Sequence, residues 1–154
     1  MELLSAMVAD AATAFNGKLY VHGGGWNSLV VREFPTEHPA MALALVLSPD
    51  ASEAPGTGEL RIQLVDDDGN DAGPGAAATL GFGHNPLYKD GQKTTVPFAI
   101  AFEKIRFEKP GQYEFRVLWN GDELNLSAAF SVMRAPAGLL PGPAPRATQP
   151  SSDT

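Results

Sequence analysis

The sequence predicts an all-β protein: a single antiparallel β-sandwich of seven to eight strands, immunoglobulin-like, over residues 1–134, followed by a disordered Pro/Ala-rich tail over 135–154. Three observations carry that reading. Apolar residues recur with period two, the repeat of a strand whose side chains alternate between faces. Asn16-Gly17, Asp68-Gly69, Asp90-Gly91 and Asn120-Gly121 punctuate the alternation, and such dipeptides suit type I′ turns, whose two central residues need φ > 0. Helical periodicity fits only ELLSAMVADAA near the start, where the nearby Asn-Gly turn favours a strand as well.

Each element follows from that alternation. Leu4 to Thr13 and Lys18 to His22 flank Asn16-Gly17 as a first hairpin. Met41, Leu43, Leu45 and Leu47 alternate with Ala42, Ala44 and Val46, so this strand is apolar on both sides and is central or covered. Leu60, Ile62 and Leu64 oppose Glu59, Arg61 and Gln63. A weaker strand runs from Ala76 to Phe82, and Val96, Phe98, Ile100 and Phe102 alternate with Ala99, Ala101 and Glu103. Past the Pro110-Gly111 turn, Tyr113, Phe115, Val117 and Trp119 share one face. Beyond Asn120-Gly121, Leu124, Leu126, Ala128, Phe130 and Val132 continue the pattern, which makes this the strongest hairpin in the chain. Seven or eight short strands spaced by turns form a sandwich. The ending PGQYEFRVLWNGDELNLSAAFSV resembles the last two strands of immunoglobulin-like modules, with a Pro-Gly turn leading to an inward Tyr.

Composition removes several functions. The chain has 154 residues, 44% of them hydrophobic and 19% charged, which is one globular domain. Its net charge of −7 and lack of a Lys/Arg cluster argue against nucleic acid and against an anionic membrane surface. With no cysteine there are no disulfides, thiolate chemistry or Cys-based zinc sites. Glu2 and Asp10 spoil any resemblance of the first residues to a secretory signal, so the expected location is cytoplasmic, or the virion if the gene is phage-borne.

Two stretches invite a chemical reading. HGGGW, His22 to Trp26, looks like the oxyanion-hole run of an α/β-hydrolase. That chemistry also needs a G-x-S-x-G nucleophile elbow and a later His; the elbow is missing, and His22, His38 and His84 leave the C-terminal half without one. The glycines therefore shape backbone, with Trp26 folding onto the apolar surface they leave bare. His22 and Trp26 remain candidate binding residues bordering a contact surface. The second stretch is Asp66-Asp67-Asp68-Gly69-Asn70-Asp71. Counting from Gly69, an EF-hand would place its first ligand at Leu64 and its closing Glu at Gly75, so the match fails. The loop reads as a solvated hairpin end. Its sharper reading is a calcium site in which Asp66 and Asp68 join Asp90 or Asp50. GPGAAATLGFG, Gly73 to Gly83, lacks the Lys and Ser/Thr of a phosphate loop and reads as a flexible connection. No catalytic set, metal site or cofactor is expected.

The string MVADAATAFNGKLYVHGGGW, with HPAMALALVL, ELRIQLVDDDGN, VPFAIAF and PGQYEFRVLWNG after it, resembles a family of small bacterial and phage-borne proteins of unknown function. That family opens with A-D-x-A…G-K-L-x-x-x-G-G-G-W and carries a D-x-D-G hairpin. The likeness covers Ala6 to Val132 and implies an all-β domain with no assigned catalytic residue, cofactor or substrate.

The leading functional expectation is a non-enzymatic module that binds another protein, with homo-oligomerisation through edge strands also open. The alternatives are a decoration or tail protein of a virus-like particle, and a sandwich binding calcium through the acidic loop or carbohydrate through Trp26 and Trp119. Trp119 is in phase with Tyr113 and Phe115 and is expected in the core. Deleting Ala135 to Thr154 is expected to leave the melting temperature nearly unchanged in calorimetry; a large drop would mean that the tail packs on the domain.

Overall fold

The computed structural model describes residues 1–53, 55–83 and 93–138. Asp90-Gly91, His84 and the tail beyond residue 138 lie outside the described residues. Among the described residues ten strands form two sheets: β1 (Glu2–Phe15), β2 (Lys18–Gly24), β3 (Ser28–Val31), β4 (Thr36–Ser48), β5 (Gly56–Asp66), β6 (Ala76–Phe82), β7 (Val96–Phe107), β8 (Gly111–Trp119), β9 (Asp122–Glu123) and β10 (Ala128–Arg134). One sheet has the order β2-β1-β4-β7 and the other β3-β10-β8-β5-β6, with β9 on β8. All pairings are antiparallel except that of β3 with β10, which is parallel. Among the described residues no helix is long and apolar enough to cross a membrane.

The two Asn-Gly turns behave as their chemistry dictates. Asn16 and Gly17 have φ of 49° and 68°, Asn120 and Gly121 of 50° and 93°, so each hairpin closes with both central residues left-handed. β4 lies between β1 and β7, and both its sides are buried: Met41, Leu43, Leu45 and Leu47 on one, Ala42 and Ala44 on the other. The core between the sheets gathers Leu43, Leu45, Ile62, Leu64 and an aromatic group of Phe102, Phe107, Tyr113, Phe115 and Phe130. Each such side chain contributes about 1.5–3 kcal/mol on burial.

Four features depart from the sequence reading. The described residues hold ten strands instead of seven or eight, because β3 is a four-residue run without turn signals and β9 is only two residues long. The last hairpin keeps its phase at Leu124, Ala128, Phe130 and Val132 but is interrupted between them. After β9 the chain leaves the sheet from Leu124 to Ser127, and Leu126 stands 41% exposed. The cause is Asn125, whose side chain accepts from Leu3 N–H at 3.2 Å and donates to Leu3 C=O at 3.3 Å, tying this segment to β1. On β7, Lys104 adopts φ 53° opposite Pro39, so the inward phase changes from Phe102 to Ile105 and Phe107. Finally, the strand expected from Ala76 to Phe82 forms as β6, in register with β5 from Gly56↔Phe82 to Ile62↔Ala76, so most of the Gly73–Gly83 stretch also read as a flexible connection is paired.

Trp119 is buried as its phase demands, 6% exposed, with its ring 5.7 Å from Phe82. Gly58 makes room for it: a Cβ there would stand 2.0 Å from Trp119 Cζ2. Trp119→Ala should cost about 3–5 kcal/mol in denaturant unfolding; wild-type stability would contradict this packing.

Candidate functional site

The glycine run is explained residue by residue. Gly23 and Gly25 have φ of 59° and 80°, the left-handed region that favours glycine. At Gly24, a Cβ would approach Val21 Cγ1 to 2.5 Å. The Gly25 N–H donates to Val8 C=O at 2.9 Å, so this amide is engaged in holding the strand end against β1. The turn made by the glycines brings Trp26 back over the core, where its ring meets Phe130 edge-on at 5.7 Å and 79°. His22 pairs with Ala11 on β1 and is exposed. Two neighbours in sequence are thus put to different uses: Trp26 packs inward while His22 stays in solvent.

The acidic loop is a three-residue hairpin end, not the two-residue type I′ turn suggested by Asp68-Gly69. Asp66 C=O accepts from Gly69 N–H at 2.9 Å, and Asp66 N–H donates to Asn70 C=O at 3.0 Å. Of the central dipeptide only Gly69 is left-handed, with φ 79°. The Asp66 carboxylate accepts from Asn70 N–H at 2.9 Å and Asp68 N–H at 3.1 Å, and these bonds, Asn70 foremost, hold its carboxyl below the usual carboxylate range. Asp66, Asp67 and Asp68 place carboxylate oxygens within 4.8 Å of one another. Lys109 answers that charge: its Nζ lies 3.6, 4.0 and 3.7 Å from the three, which raises its own proton affinity. Tyr113 fixes the Lys109 backbone by donating from its hydroxyl to Lys109 C=O at 2.8 Å, the tyrosine-corner contact of many sandwiches. Asp50 is engaged by the amino-terminal ammonium and does not join the cluster. The loop therefore carries its own cation. Lys109→Met should lower the melting temperature at low ionic strength, with the difference shrinking in high salt. Millimolar calcium should leave wild type unshifted in the same melts; a clear rise would mean that calcium competes for the acids.

A further surface, near the β3 edge, was not visible in the sequence. A cleft of about 380 Å³ lies where β3 leads into β4, lined by Leu29, Val31, Arg32, Thr36, Glu37 and His38 among others. Beside it Val30 and Met133 pair across β3 and β10 and are 43% and 44% exposed. Arg134 Nε donates to Arg32 C=O at 3.3 Å and Ala135 N–H to Val31 C=O at 2.7 Å, so the edge is held to its end. His38 is half-buried, and burial pulls its pKa down against the opposing effects of the Ala40 backbone and the Asp10 charge. The only sequence signal for this site is SLVV itself, too short to separate from a loop.

Comparison with known proteins adds a family and no chemistry. No curated protein matches the sequence. Among solved structures, the Pseudomonas fluorescens alkylpurine DNA glycosylase AlkC bound to DNA containing an abasic site analog matches with 21% identity and a TM-score of 0.40. The match covers 69% of this chain and only 27% of that one, and at this level of similarity it bears on neither fold nor activity. The profile of a family of unknown function, DUF6941, matches residues 4–133, which is nearly the whole sandwich. The chain belongs to that family.

Proposed function

We propose that this protein is a non-enzymatic interaction module that receives a protein partner at the β3–β10 edge. The observation that carries the reading is the exposed Val30–Met133 pair beside the cleft at the start of β4. Adjacent apolar side chains at a concave edge are what a partner's own apolar residue would cover. Arg32, Glu33 and Glu37 line the same cleft and supply the polar rim that surrounds such anchors.

The test is affinity capture with the immobilised chain, followed by cross-link mapping on the recovered complex. A partner should be retained in stoichiometric amount, with cross-links at the β3–β10 edge. Val30→Asp combined with Met133→Asp should reduce retention at least tenfold while leaving the melting temperature within a few degrees of wild type. Recovery of no partner, or retention unchanged by the double substitution, would overturn the reading.

A further inference from the structure

The two sheets end in four strands, β2, β7, β3 and β6, each with one side free of pairing among the described strands. A free edge presents a row of unpaired N–H and C=O groups, and proteins that stay monomeric blunt such edges with charge, proline, bulges or shortness. Three of the four are blunted here. β2 carries Lys18 and His22 and has the left-handed Gly23 one residue before its end. β7 carries Pro97, Glu103 and Arg106 and is twisted by the left-handed Lys104. β3 is four residues long.

β6 has none of these devices. Its sequence, AAATLGF, contains no charge and no proline, none of its residues is left-handed, and its seven pairings with β5 run without a shift. Leu80 and Phe82 pack against the core yet remain only half-buried, as side chains do when the next strand is missing.

We infer that β6 pairs antiparallel with β6 of a second copy of this chain, about a twofold axis at Thr79. Three observations favour a second copy. About that axis Ala76 faces Phe82 and Ala78 faces Leu80, so on the core-side face every large residue meets a small one. On the other face Ala77 meets Gly81 and Thr79 meets its own copy, a flat surface with a favourable Thr–Thr pair. Chains of net charge −7 repel one another, and β6 offers a contact line that brings no carboxylates together. The pairing is isologous and closed, so it stops at a dimer. It lies at the opposite end of the six-stranded sheet from β3 and is independent of the function proposed above.

Sedimentation velocity and light scattering on the full chain test this directly. Wild type should run as a dimer that dissociates on dilution. Thr79→Lys and Thr79→Glu each set like charges opposite one another at the axis and should be monomeric, with unchanged circular dichroism because Thr79 is exposed in the monomer. Mixing the two variants should restore a dimer, since opposite charges then meet. Independently of any substitution, amide exchange across Ala76–Phe82 should slow as protein concentration rises. A wild type that stays monomeric up to high micromolar concentration, a dimer that survives both substitutions, or failure of the mixture to associate would each overturn the inference.

Discussion

Phe130 is the contact on which the rest of this sandwich depends. It sits on β10, yet its ring lies 5.9 Å from Phe115 and 6.0 Å from Tyr113 on β8, and 6.0 Å from Phe107 on β7 of the facing sheet. Trp26 completes the ring of neighbours from the segment ahead of β3. One buried side chain thus joins two strands of one sheet to a strand of the other and seats the glycine-rich turn. Aromatic pairs at these separations contribute beyond their buried area. The position of β3, and with it the cleft beside β4, follows from where Trp26 can lodge.

The remaining architecture is set by a few places where backbone geometry overrides the strand pattern. Gly23 and Gly25 turn the chain after β2 with left-handed conformations, and Gly24 permits an approach that a side chain would block. Lys104 changes the phase of β7 so that both halves of a long strand bury apolar residues on a twisting sheet. Asn125 substitutes its side-chain amide for a backbone pair and ties the start of the last strand to Leu3. None of these is a chemical group poised over a cavity. Each uses polarity or flexibility to finish the sandwich.

Charge is arranged unevenly over the outer surface. The outward side of the six-stranded sheet carries Arg61 beside Glu59 at 2.7 Å, and Arg116 beside Glu114 at 3.2 Å and Glu123 at 3.7 Å. Exposed pairs of this kind contribute about 0–1 kcal/mol each and act mainly to keep the face solvated. At the loop after β5, Lys109 answers three carboxylates at once. The apolar Val30–Met133 pair and the uncharged β6 stand at the two ends of the same sheet, outside these networks. An acidic protein approached by another protein offers its least repulsive contacts there.

The sequence by itself determined the elements whose signals are local. Alternation over Tyr113–Trp119 and Leu60–Leu64 showed which faces are inward, and Asn-Gly at 16–17 and 120–121 located two hairpins, because a left-handed turn and a period of two are properties of a few consecutive residues. It also placed Trp119 in the core, since phase alone decides that. The candidate site was barely legible. That Trp26 folds onto an apolar surface followed from the glycines before it, but the ring it meets, Phe130, lies about a hundred residues away in sequence and could not be named from it. The role of Lys109 in the acidic loop depends on Tyr113 holding its backbone beside a strand from another hairpin. β3, the exposed Val30–Met133 pair and the unblunted edge of β6 exist only once strand order is known. Strand order comes from long-range packing, which leaves no periodic trace in the chain, and only the tertiary structure could decide it.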